Sequence, residues 1–64
     1  MLLLTPYQNR IWRLMATGIS DREIGELMGV KMGTIRANIK KIRQKLGTET
    51  RLKTVVLWYY PELA

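Results

Sequence analysis

Residues 20–47, SDREIGELMGVKMGTIRANIKKIRQKLG, constrain the fold of this chain more than any other stretch. Ser20 with Glu23 three residues later is a capping box, and Gly29 stands where a short helix would stop. A longer helix follows from about Met32 to Leu46, closed by Gly47. From Lys31 to Lys45 there are six Lys or Arg and no acid. A short helix, a glycine turn and a basic helix in succession form the arrangement that fits a DNA major groove. The alternative for the same pattern is a small helical domain with a solvated basic face.

Charge favours the first reading. The chain has 64 residues and a formal net charge of +6, an excess that suits a polyanion, nucleic acid before acidic membrane. At this length it makes one small domain, residues 1–64, with a thin core. There is no cysteine and no histidine, which removes disulfides, thiol chemistry and nearly every zinc site. No metal ligand, cofactor or catalytic residue is expected. A nucleophile–base pair and a Gly-rich phosphate loop are both lacking, and the five carboxylates fall mostly at capping or charge-pairing positions. The chain reads as a binding module rather than an enzyme. The opening Met-Leu-Leu-Leu is too short for a signal peptide, and no apolar run approaches the ~20 residues that span a bilayer, so a soluble protein without a membrane partner is expected.

Punctuation predicts an all-α fold of four helices, at about 6–17, 21–28, 32–46 and 51–60. Thr5, Pro6 and Gln8 start the first with a capping box, and Gly18 ends it. Tyr7, Ile11, Leu14 and Met15 form its apolar stripe, which Trp12 widens. In the second, Ile24, Leu27 and Met28 are the expected buried face. Gly25 weakens that helix by ~1 kcal/mol relative to Ala and permits a close approach at the elbow. Val30 is expected to drop into the core between the two elements. In the third, Ile35, Ile39, Ile42 and Leu46 face inward, so Gly33, Ala37 and Gln44 point away, with Arg36 and Lys40 on one flank and Lys41 on the other. Thr50 starts the fourth and Pro61 ends it.

Leu4-Thr5-Pro6, Gly18-Ile19-Ser20, Glu23-Ile24, Gly33-Thr34-Ile35-Arg36, Lys45-Leu46-Gly47 and Thr50-Arg51 resemble the LuxR/GerE-type helix-turn-helix domain. The likeness runs from about Leu4 to Leu57. It implies a four-helix unit whose third helix reads the major groove of double-stranded DNA and whose fourth helix makes a homodimer. It also implies a transcriptional regulator in the cytoplasm, bacterial or phage-encoded, at the nucleoid. Gln8 stands where the family has Glu, Gly25 where it has Ala, and Asn38 where it often has His. Lys31 takes the place of a Ser or Thr cap. It sets positive charge at the positive end of a helix dipole, where it meets either solvent or a phosphate. Members usually carry a sensor domain ahead of this unit. The early Met favours a stand-alone protein over an excised domain.

The resemblance assigns base readout to Arg36, Ala37 and Lys40. Arg36 suits a bidentate pair with guanine, Ala37 lets the helix enter, and Lys40 reaches a guanine or a phosphate. Thr34 and Lys41 suit phosphates, as does Lys31. So do Ser20, Asp21 through its backbone N–H, and Arg22, at a helix N-terminus. Arg43 and Lys45 are expected to be solvated or paired with Glu49. Leu52, Val55, Val56 and Tyr59 form the expected dimer face. The aromatic run Trp58-Tyr59-Tyr60 either joins that interface or sends Trp58 back over the first helix. A rival reading makes the chain a protein-interaction module that pairs with another LuxR-type regulator or contacts RNA polymerase. Retained partner binding after loss of DNA binding would single it out.

Overall fold

Side-chain caps set where three of the four helices begin. The computed structural model describes residues 4–64, so all of the opening apolar run except Leu4 lies outside the described residues. Helix α1 spans Pro6–Ala16, α2 Asp21–Met28, α3 Met32–Leu46 and α4 Arg51–Tyr59, followed by a short 3-10 turn at Pro61–Leu63. Thr5 and Gln8 close a reciprocal capping box on α1, and Ser20 and Glu23 close another on α2. The Thr50 hydroxyl accepts from the Lys53 N–H at 3.1 Å and starts α4. Helix α3 begins at Lys31 with no side-chain cap. Thr5, Ser20 and Thr50 cap helices where the sequence reading places them, and the 3-10 turn past Pro61 is an addition to it. Helices α1 and α4 each end one residue earlier than expected.

The core lies where the four helices meet. Ile11 and Met15 of α1, Ile24 of α2, and Ile35, Ile39 and Ile42 of α3 form its buried cluster, with Val30 and Leu46 packed at its edge. Gly25 is buried, and a Cβ there would sit 2.7 Å from the Val30 carbonyl oxygen. The Val30 N–H donates to the Gly25 carbonyl at 2.9 Å. The elbow between α2 and α3 therefore closes backbone to backbone, and a side chain at residue 25 would hold it open.

Two core expectations fail. Leu27 is 64% exposed, because α2 contributes only Ile24, Gly25 and the half-buried Met28 to the interior. Tyr7 lies on the surface and Gln8 is buried in its stead. Burial is tolerable there because the Gln8 Oε1 accepts from both the Thr5 N–H at 3.1 Å and the Lys45 Nζ at 2.8 Å. Lys45 thus reaches across to α1.

Helix α4 lies against α1 through specific polar contacts. The Trp12 indole N–H donates to the Thr54 carbonyl at 2.7 Å, and Trp58 folds back to meet the Trp12 ring edge-to-face at 4.9 Å. The Tyr59 hydroxyl donates to the Ala16 carbonyl at 2.5 Å. Thr54, fully buried, bonds the Thr50 carbonyl and the Thr48 hydroxyl. Thr54 and Leu57 are the buried residues of α4, and Val55 packs at the edge of the core. Of the apolar face expected for dimer contact, Leu52 is 73% exposed and Val56 half-buried.

Candidate nucleic-acid interface

Helix α3 has two chemically opposed faces. Ile35, Ile39 and Ile42 are buried, whereas Gly33, Thr34, Arg36, Ala37, Lys40, Lys41 and Gln44 are exposed. Arg36, Ala37 and Lys40 are all exposed on the side of α3 turned away from the core. Asn38, on the flank, donates to the Thr34 carbonyl at 2.9 Å. This bond lies within the helix.

The start of α2 stands beside that face. Ser20 is held by its cap, accepting from the Glu23 N–H at 3.1 Å and donating its own N–H to the Glu23 carboxylate at 3.0 Å. The Ser20 backbone N–H, followed by its hydroxyl, holds the Glu23 carboxyl below its ordinary range. The N–H groups of Asp21 and Arg22 in the first turn have no acceptor within the helix, which is the geometry that receives a phosphate oxygen. Arg22 and Lys31 are exposed.

One network could not be foreseen from the spacing of residues. The Asp21 carboxylate accepts from the Arg51 guanidinium at 2.5 Å through one oxygen, while its other oxygen lies 3.6 Å from the Arg36 Nε. Asp21 therefore does more than present a backbone N–H. It joins the first turn of α2 to the outer face of α3 and to the start of α4. Arg51 was visible only as part of the Thr50-Arg51 motif, with nothing to say which residue it meets. The three residues form a shared wall between two open grooves of about 520 Å³ each. One groove runs along Lys40, Arg43 and Thr48, and the other along Ser20, Arg22 and Met32. Arg43, half-buried at the back of the first groove, donates to the backbone carbonyl of Glu49 rather than to its carboxylate.

A third groove, about 440 Å³, is apolar in character. It runs between the end of α3, α4 and the C-terminal turn and is lined by Leu46, Leu52, Val56, Leu57 and Leu63. Among the described residues, no helix is long and apolar enough to cross a membrane.

A sequence model of bacterial regulatory proteins of the luxR family matches residues 2–58 of this chain. No curated protein matches it.

Proposed function

The chain belongs to the luxR family of bacterial regulatory proteins, DNA-binding regulators of transcription, and from that premise we propose that it reads duplex DNA with α3 in the major groove. The observation that carries this reading is the two-faced character of α3. Ala37 lies exposed across the helix from an isoleucine row that is buried in the core, with Arg36 and Lys40 exposed on the flank beside it. A helix so anchored presents its outer face rigidly, as base readout requires. Arg36 and Lys40 reach base edges, and Ala37 permits the approach. Lys31, Thr34 and Lys41, with Ser20, Asp21 and Arg22 at the start of α2, grip the phosphates and set the register.

We further propose that two copies pair through α4. The exposed Leu52, the half-buried Val56 and the apolar groove beside them support this, with Val55 and Tyr59 at the rim of the contact. Such a pair would set two recognition helices about 34 Å apart, which implies an inverted-repeat site.

Selection on genomic fragments across a salt series, read by sequencing, tests the DNA reading. Neutralising about five phosphates per subunit would give a log K slope of roughly −4 to −5 per subunit. Arg36→Ala should flatten the preference at one base position, while Lys41→Ala should weaken binding to all sequences alike. A flat salt response would remove duplex DNA as the partner. Light scattering and melting from about 1 to 500 µM test the pair, whose melting temperature should rise with concentration. Val56→Glu should leave a monomer that binds half-sites weakly. A monomer mass across the whole range, with an unshifted melting temperature, would overturn self-association and leave the apolar groove to a different protein.

A further inference from the structure

We propose that Asp21 is a positioning residue for base readout, holding the Arg36 guanidinium in a pose fixed from the far side by Arg51. The proposal rests on the reading of α3 given above and adds to it a residue that determines specificity without touching a base.

An acid at the centre of a DNA-facing surface weakens binding to every duplex, because it repels phosphates. Asp21 stands between Arg36 and Arg51 on the wall of both basic grooves, so its presence there calls for a compensating role. Its side chain is only 18% exposed, and one oxygen is committed to Arg51 at 2.5 Å. Arg51 in turn is the first residue of α4, a helix started by the Thr50 cap, and its guanidinium also lies 3.4 Å from the Ile19 carbonyl. The carboxylate is thus fixed in place by a different helix from the one it serves.

Its second oxygen faces the Arg36 Nε at 3.6 Å. Engaging Nε leaves both terminal nitrogens free, and that fork is what pairs with the O6 and N7 of guanine. The Arg36 side chain is 64% exposed. A long side chain free in solvent loses rotamer entropy when it docks, and a fixed counter-charge beside it reduces that loss in advance. At 3.6 Å the contact is an ion pair longer than a hydrogen bond, so it guides the guanidinium without locking it. Exclusion of water by bound DNA would strengthen the attraction when it is needed.

The inference therefore makes two readouts move in opposite directions. Asp21→Asn should bind random duplex more tightly, because a negative charge is gone, and should discriminate less, because Arg36 is no longer aimed. The test uses the full chain and four proteins: wild type, Asp21→Asn, Arg36→Ala and the double variant. Each is put through selection on randomised duplex and through titration with the preferred and a scrambled duplex at one salt concentration. Melting temperature is recorded alongside. Asp21→Asn should lower the ratio of preferred to scrambled affinity by about three- to tenfold. The lost preference should fall at the same base position that Arg36→Ala flattens, and the double variant should lose no more than Arg36→Ala alone. Arg51→Gln, which keeps both Asp21 and Arg36, should weaken that same position, and so tests the idea even if Asp21→Asn folds poorly. Unchanged base preference with uniformly tighter binding would reduce Asp21 to an electrostatic drag and overturn the proposal. Additive losses at different base positions would overturn it as well. A wild type with no preferred duplex would instead refute the DNA reading itself, and this inference with it.

Discussion

The α1–α4 pair and the α2–α3 pair are held together in different ways. Between α1 and α4 the chain makes long-range polar contacts: Trp12 to the Thr54 carbonyl, Tyr59 to the Ala16 carbonyl, and the two indoles edge-to-face. The α2–α3 pair is joined instead by its own elbow, where the Val30 N–H bonds the Gly25 carbonyl, and by an isoleucine-lined seam. Its outer surface carries Arg22, Arg36, Lys40 and Lys41 exposed, and α3 begins without a side-chain cap. The difference is a division of structural labour: long-range polar contacts brace α1 against α4, whereas α2 and α3 rest on a backbone elbow and an apolar seam that leave the outer face of α3 charged and exposed.

The elbow offers the sharpest way to break that division. By helix propensity alone, Gly25→Ala should stabilise α2 by about 1 kcal/mol. The new Cβ would lie 2.7 Å from a backbone oxygen, so the outcome expected is a loss of about 2–3 kcal/mol on chemical denaturation. A stabilised variant would mean that the elbow is not the tight element of this half.

The brace comes next. Trp12→Phe removes the indole donor from the Thr54 carbonyl and loosens the contact with Trp58. It should cost about 1–2 kcal/mol and diminish the near-ultraviolet dichroism of the tryptophan pair. DNA affinity should be nearly unchanged in conditions where the variant is folded. A large drop in affinity from a folded variant would show that brace and reading face are not separable.

Lys31→Ser probes the uncapped start of α3 with a smaller effect and a predicted trade-off. A serine cap should stabilise the fold by about 1 kcal/mol. Loss of the cation should weaken DNA binding and lower the magnitude of the salt slope by about one. Greater stability with unaltered binding would make Lys31 a merely solvated residue.

The smallest effect concerns acid. Glu23 titrates below its ordinary value of 4.5 because the Ser20 N–H and hydroxyl favour the carboxylate. A group whose pKa is depressed by folding contributes stability above its unfolded pKa and loses it as pH falls through the folded value. The melting temperature of wild type should therefore fall more steeply below about pH 4.5 than that of Glu23→Gln. Parallel curves would remove this cap as an acid-sensitive element of α2.

Local chemistry in the sequence determined the number, order and approximate bounds of the helices. Thr5, Ser20 and Thr50 act on N–H groups three residues away, and Gly18, Gly29 and Gly47 adopt left-handed backbone at the ends where they stand. Such effects need no knowledge of the rest of the fold. The 4-3-4 spacing of Ile35, Ile39, Ile42 and Leu46 likewise fixed which side of α3 faces out, because a helix converts spacing directly into direction. Tertiary structure alone decided which borderline residues are buried and which charges meet. Leu27 is apolar at the right period yet exposed, since it lines an open groove beside α1 rather than a packed seam. Gln8 is polar yet buried, since Lys45 reaches it from 37 residues away. Asp21 meets Arg51 across 30 residues. Contacts at that range depend on how helices pack, and helical periodicity carries no information about a partner on another helix.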